Sequence, residues 1–251
     1  MELVNLLFTF GTCILIGVLA YWKHLLDLPG TVSAFVVGFC IGLFGGYPWL
    51  LLLLLFLFAS FFATKYKFKT KKELGLQEGV AGERGWKNVI ANGCVPMGIA
   101  FLSHFYSSGF THTQYVLFYL VAIAGTAADT LASEIGVLSD RVYLITNFRR
   151  VARGTNGGIS VLGLCWAFTG SLFVSVIGIG FFGILGEIYV HDAWSILQNI
   201  SFVCILGFAG CQIDSVLGAT LENRGLLTKG TNNLFSISLT VMLAVVIIWL
   251  I

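Results

Sequence analysis

Gly125-Thr-Ala-Ala-Asp129-Thr-Leu-Ala-Ser-Glu134-Ile-Gly136 closes a hydrophobic run that begins at Tyr115 and is long enough to cross a bilayer. A carboxylate at membrane depth costs roughly 3 kcal/mol or more unless it is paired, liganded or turned toward water. Asp129 and Glu134 are therefore the first functional candidates, against the simpler reading that both reach headgroup water from the end of a span. The pattern returns. Gly210-Cys-Gln-Ile-Asp214-Ser215 repeats Gly-x-x-x-Asp-[Ser/Thr] late in another apolar run. Each copy is followed by a second echo, Arg153-Gly-Thr-Asn156-Gly-Gly-Ile-Ser160 and Lys229-Gly-Thr-Asn232-Asn-Leu-Phe-Ser236. Two matches in the same order predict a duplicated helical hairpin, 114–157 with the sixth span and 196–232 with the eighth. Repeats of this kind place a site at their interface.

Outside that stretch, 57% of residues are hydrophobic and 10% charged, the composition of a polytopic membrane protein. Apolar runs fall at about 3–22, 31–46, 48–63, 88–105, 114–138, 158–186, 196–220 and 233–251. Taken as one helix, 31–63 would measure roughly 50 Å against a hydrocarbon core of about 30 Å. Gly45-Gly-Tyr-Pro48 is therefore expected to be a tight hairpin. The expectation is an all-α membrane protein of about eight transmembrane helices, forming one integral membrane domain over 1–251. The 14 Lys and Arg residues test the count: loops 23–30, 64–87, 139–157 and 221–232 hold all of them, and the opposite loops none. By the positive-inside rule those four loops are cytoplasmic and both termini lie outside. The net charge of +2 is thus a topological signal and no argument for nucleic acid. The first run lacks a basic n-region and reads as a retained span, and the short lead without a transit peptide points to a prokaryotic plasma membrane. The six cysteines, none in Cys-x-x-Cys, read as small core residues. His104 and His112 read as outer surface residues without a carboxylate partner. Oligomeric state is left open.

Asp129, Glu134 and Asp214 are expected near the cytoplasmic ends of their spans. From the same side three spans open with Lys87-Asn88-x3-Asn92-Gly93, Arg153-Gly154-Thr155-Asn156-Gly157-Gly158 and Lys229-Gly-Thr-Asn232-Asn233. A helix amino terminus offers free N–H groups and a positive dipole end, Gly permits close backbone approach, and the preceding Lys or Arg adds full charge. Each opening alone is no more than a helix cap; two with the same basic residue before Gly-Thr-Asn favour phosphate. Carboxylates beside a phosphate call for a divalent cation, and Mg²⁺ takes one or two carboxylates plus phosphate oxygens and water. Asp129 and Asp214 are the first ligands expected. Glu134, about 140° around the helix from Asp129, could join them only if the helix unwinds there. Gly125 and Gly136 allow either a break or tight packing. The loop 64–87, with Lys65-Tyr-Lys67-Phe-Lys69-Thr-Lys71-Lys72, suits anionic lipid headgroups or a nucleotide base and its phosphates.

Ala128-Asp129-Thr-Leu-Ala-Ser133-Glu134-Ile-Gly136, Arg153-Gly-Thr-Asn-Gly-Gly158, Asp214-Ser215-x2-Gly218-Ala219-Thr and Asn232-Asn233, with Gly82-x-Arg84 before Asn88 to Gly93, resemble one integral membrane family. That family, long catalogued as a domain of unknown function, includes the phytyl-phosphate kinases of vitamin E synthesis. It is more distantly similar to the CTP-dependent phytol and dolichol kinases. The resemblance runs from about residue 28 onward, and where the family pattern often has Gln this chain has Leu221-Glu222. It implies a CTP-dependent kinase converting a prenyl monophosphate to the diphosphate, with Arg84 among the phosphate-binding residues. A phosphomonoester, with a second pKa of about 6, is already mostly a dianion at pH 7 and needs no strong base. A free prenol would need one, Asp129 or Glu134. The other class of reading is a secondary transporter, whose site would lie near the midplane. Arg153 is expected on the triphosphate and Lys229 on the lipid phosphate.

Overall fold

The structure, a computed structural model, describes residues 2–106, 109–189 and 192–250. Eight long helices run where the apolar runs predict them: α1 (Glu2–Trp22), α2 (Leu28–Phe44), α3 (Tyr47–Lys65), α5 (Trp86–Phe105), α6 (His112–Gly136), α7 (Val161–Ile184), α8 (Ala193–Leu217) and α9 (Lys229–Leu250). A short α4 (Phe68–Glu73) lies in the basic loop. Six of the eight are long and apolar enough to cross a membrane. The other two are α2, with 17 residues, and α5, which carries Lys87, Asn88, Asn92 and His104. Gly46, at φ +96°, and Pro48 make the expected α2–α3 hairpin.

Helix α6 is the axis of the bundle. Its most apolar window is 83% buried, against 17% for α1 at the periphery. Small residues let its neighbours close in. A Cβ on Gly207 of α8 would come within 2.6 Å of the Ala124 Cβ, and one on Gly136 within 2.8 Å of the Gly163 backbone in α7. Gly136 therefore serves tight packing, and α6 runs unbroken up to it, its last residue.

The ends of the bundle differ in chemistry. At one end Trp49 Nε1 donates to Glu187 Oε2 at 3.0 Å, and His112 Nε2 lies 3.4 Å from the same oxygen. His112 thus has the carboxylate partner that its sequence context did not suggest. The opposite end holds the described Lys and Arg side chains, tied across loops by Arg84 N–H to Leu25 O at 2.9 Å and by Asn223 to Asn156 O at 3.1 Å. Here the all-helical expectation needs one addition. Residues 142–159 form a small antiparallel sheet, β1 (Val142–Leu144), β2 (Arg150–Val151) and β3 (Gly158–Ile159), in the order β2-β1-β3. Tyr143 pairs with Arg150 on one side and Ile159 on the other.

Candidate functional site

A polar cavity of about 320 Å³ opens at the basic end among α6, α7, α8, α9 and the loops between them. Asp129 sits about two turns before the end of α6 and Asp214 in the last turn of α8. Both side chains line this cavity, near enough for their carboxyl groups to interact. Ser236 Oγ donates to Asp214 Oδ1 at 2.9 Å, and Asn232 Nδ2 to the Asp214 carbonyl at 3.1 Å. Behind this pair Asn233 Nδ2 reaches Asn92 Oδ1 at 3.4 Å, and Asn92 in turn donates to Asn88 Oδ1 at 3.1 Å. One turn after Asp214 the helix widens into a π-helical turn, Gly218–Glu222, and Glu222 lies on the cavity wall. Such turns recur at functional sites because the extra residue re-aims side chains.

Two neighbouring carboxylates repel unless positive charge or a shared proton offsets them. Lys229, at the cavity rim, and Arg84 act electrostatically on Asp129, and Lys229 Nζ also lies 3.1 Å from Glu78. Three wall atoms, Gln77 Oε1, Gln212 Nε2 and Asn232 Oδ1, are buried without a hydrogen-bond partner. Each such atom costs about 1–3 kcal/mol unless water or a ligand satisfies it. The cavity therefore offers two unused acceptors and one unused donor beside a carboxylate pair. Among the described residues, no three His, Cys, Asp or Glu side chains group closely enough to hold a metal by themselves.

Glu134 is not part of that pair. Because α6 stays helical, the residue is turned about 140° from Asp129 and reaches α3 and the basic loop while still lining the cavity. Its Oε2 accepts from Lys71 Nζ at 2.6 Å, its Oε1 from Thr64 Oγ1 at 3.0 Å, and Arg84 approaches to 3.7 Å. Lys71 is fully buried and also donates to the carbonyls of Ala63 and Thr64 at the end of α3, where the helix dipole favours a cation. Glu134 thus anchors the basic loop, and it also lines the cavity that holds Asp129 and Asp214. Lys71 likewise leaves the lipid-facing set to which its neighbours Lys69 and Lys72, both exposed, still belong. Farther along the loop Glu83 accepts the Val80 and Ala81 N–H groups, chiefly Val80, and they hold its carboxyl below the usual carboxylate range.

The two Gly-Thr-Asn echoes adopt different structures. Lys229-Gly-Thr-Asn232 is the first turn of α9, where the Thr228 hydroxyl accepts the Thr231 N–H at 3.3 Å. Arg153-Gly-Thr-Asn156 opens no helix. It forms the loop before β3, and α7 starts only at Val161, capped by Ser160 Oγ accepting from Gly163 N–H at 3.0 Å. Arg153 pairs with Asp140 outside the cavity lining, whereas Gly154, Thr155, Asn156 and Gly157 do line it. Gly157, at φ +74°, is there for contact: a Cβ would sit 2.4 Å from that of Ala219. Lys87 is exposed beside the Trp86 ring, and Asn88 and Asn92 face a neighbouring apolar pocket. Sequence reasoning missed Lys71, Gln77, Glu78, Gln212 and Ser236. The signal available for Ser236 was its place in the second echo, matching the Ser160 cap in the first.

A sequence model described as "Integral membrane protein DUF92" matches residues 11–238. The chain belongs to that family. The DUF92 chain is 30% identical over 231 residues to "Uncharacterized membrane protein MJ0933" of Methanocaldococcus jannaschii, covering 90% of this chain and 89% of that one. It is 31% identical to "Protein PGR" of Arabidopsis thaliana, over 88% of this chain and 80% of the other. To "Protein VTE6, chloroplastic" of the same plant it is 28% identical, over 88% and 64%. No solved structure matches the DUF92 chain.

Proposed function

We propose that this chain is a kinase that transfers the γ-phosphoryl group of CTP to a membrane prenyl monophosphate, such as phytyl, geranylgeranyl or farnesyl phosphate, giving the diphosphate. The observation that carries the reading is the Asp129–Asp214 pair facing a polar cavity with Lys229 at its rim. The resemblance of the same residues to the prenyl-phosphate kinases supplies the reaction. A dianionic acceptor needs no strong base, so the task reduces to holding two anions in line and screening their repulsion. The donor set fits Mg²⁺, which takes one or two carboxylates and fills its remaining positions with phosphate oxygens and water. Asp129 and Asp214 would hold it, and the ion when bound supplies charge neutralisation between the two substrates. Lys229 contributes a cation to the same space. Gln212 Nε2 donates to a phosphate oxygen, and Asn232 Oδ1 and Gln77 Oε1 accept from hydroxyl, amine or water.

The cavity lies at the basic end of the bundle, which the positive-inside rule puts in the cytoplasm, where nucleotides are. That end-on position counts against a transporter, whose site lies near the midplane with access from both sides. The test is transfer of label from γ-labelled CTP to prenyl phosphate by the purified protein in detergent with Mg²⁺. Asp129→Asn and Asp214→Asn keep size but remove charge, and turnover is expected to fall by at least about a hundredfold in each. Transfer to the free prenol but not to its phosphate, or full activity in both variants, would refute the proposal.

A further inference from the structure

A second pocket, of about 90 Å³, lies between α1, α2, α3 and α5. Its walls are apolar side chains such as Ile16, Ala20, Phe35, Leu53 and Leu57. One end alone is polar, formed by Arg84, Asn88 and Asn92. Arg84 is fixed there by its backbone, which pairs with the Leu25–Asp27 segment before α2 at 2.9 and 3.3 Å. From this end Asn92 leads inward. It bonds Asn233, and a narrow gap lined by Asn92, Asp129 and Asn233 separates it from the carboxylate pair. An apolar slot with a cation and two amides at one end, separated from the polar cavity only by that narrow gap, has the form of an amphiphile site.

We propose that this pocket receives the phosphate-proximal carbons of the prenyl tail, with the lipid phosphate at Arg84, Asn88 and Asn92 and within reach of Asp129. The inference rests on the prenyl-phosphate reading of the polar cavity and adds where the lipid lies. Charge complementarity selects the occupant: Glu134 lies 3.7 Å from Arg84 but is already paired with Lys71 at 2.6 Å, so one positive charge is left for an anionic headgroup, and a soluble phosphate would leave the apolar walls bare. Helix α1 supplies the route. It packs chiefly on α2, and its outward residues Leu7, Leu15, Val18 and Trp22 are exposed, so a lipid passes beside it without the bundle opening. CTP then enters from the basic end, and the two substrates meet at the carboxylate pair from different directions.

Photolabelling maps the tail. The probe is a C20 prenyl phosphate bearing a diazirine on its second isoprene unit, irradiated with the full chain in nanodiscs without nucleotide. Label is expected on α1, α2 and α3 peptides, displaced by unlabelled C20 prenyl phosphate and not by inorganic phosphate. Gly38→Leu blocks the slot, because the first added carbon already sits 3.4 Å from Cys13 Sγ and from Leu50 Cδ1 and the rest must extend into the pocket. Ala34→Phe is an independent block from the same helix. Each should raise the KM for C20 prenyl phosphate about tenfold while leaving that for CTP unchanged, the order that one methylene carries in an apolar pocket. Retained CTP binding and monodisperse elution show that the variants fold. Displaceable label confined to other helices, or an unchanged KM for prenyl phosphate in both variants, overturns the tail site even if wild-type protein turns over. Displaceable label in this pocket without any transfer from CTP keeps the lipid site and removes the kinase reading.

Discussion

Lys71→Met tests whether the basic loop is locked into the bundle or lies on the membrane. The Lys71 ammonium is fully buried, 2.6 Å from Glu134 and bonded to two carbonyls at the end of α3. Methionine matches the stem but leaves Glu134, 8% exposed, with only Thr64 and the more distant Arg84. Removing one partner of a buried ion pair costs about 3–5 kcal/mol, because the remaining charge is stranded. For a chain of this size 1 kcal/mol moves the melting midpoint by about 2–4 °C, so a drop on the order of 10 °C is expected. Pairing Lys71→Met with Glu134→Met removes both charges, and the double variant should recover at least about 2 kcal/mol relative to the sum of the singles. The assay is tryptophan-fluorescence melting in detergent, beside Lys69→Met and Lys72→Met as exposed neighbours. Those two should melt like wild type and bind less well to anionic vesicles. If Lys71→Met also melts like wild type and loses only vesicle affinity, the buried anchor is wrong.

Three further outcomes follow from the same geometry. Lys229→Ala should raise the KM for at least one anionic substrate about tenfold or more, whereas Arg153→Ala, which loses only a surface pair with Asp140, should leave both within about twofold; saturation curves at fixed co-substrate decide it. Gly157→Ala forces a Cβ into Ala219 at positive φ and should cost about 1–3 kcal/mol in the same melting assay; an unchanged midpoint would deny the loop–helix contact. A cysteine placed at Lys69 should react with an impermeant maleimide only after the cells are opened, and labelling of intact cells would reverse the orientation.

The spans were legible because their signal is additive: roughly twenty apolar residues in a row leave few other readings. The Asp129–Asp214 encounter was legible for a different reason, since a repeated motif at equivalent places in two hairpins puts both copies at their interface. What failed was the extension of that symmetry. Arg153 and Lys229 precede the same three residues, yet Val142 to Leu144 recruits the first copy into a sheet, and Ser160 rather than Thr155 or Asn156 caps α7. Strand pairing across a loop leaves little trace in so short a stretch. Lys71 was invisible for a related reason. In the sequence it is one of five lysines in eight residues, and only the turn after α3 selects which one points inward. For Glu134 the helical angle from Asp129 was legible, but its partners Thr64, Lys71 and Arg84, far off in the chain, were not.

The order of synthesis gives the burial of α6 a further consequence. This helix carries two carboxylates into the centre of the bundle, and their partners lie on opposite sides of it in the chain. Thr64, Lys71 and Arg84 have all left the ribosome before Glu134 is made, so that charge finds its neighbours as the helix emerges. Asp129 has only the charge of Arg84 ahead of it. Asp214, Ser236 and Lys229 follow only after two more spans have been translated, roughly 5–20 s later at the usual ~5–20 residues per second. During that interval α6 must be held where water or the insertion machinery can solvate a carboxylate. The site is therefore assembled last and by the carboxyl-terminal hairpin, and a chain released before α9 would be a membrane protein with its central helix unfinished.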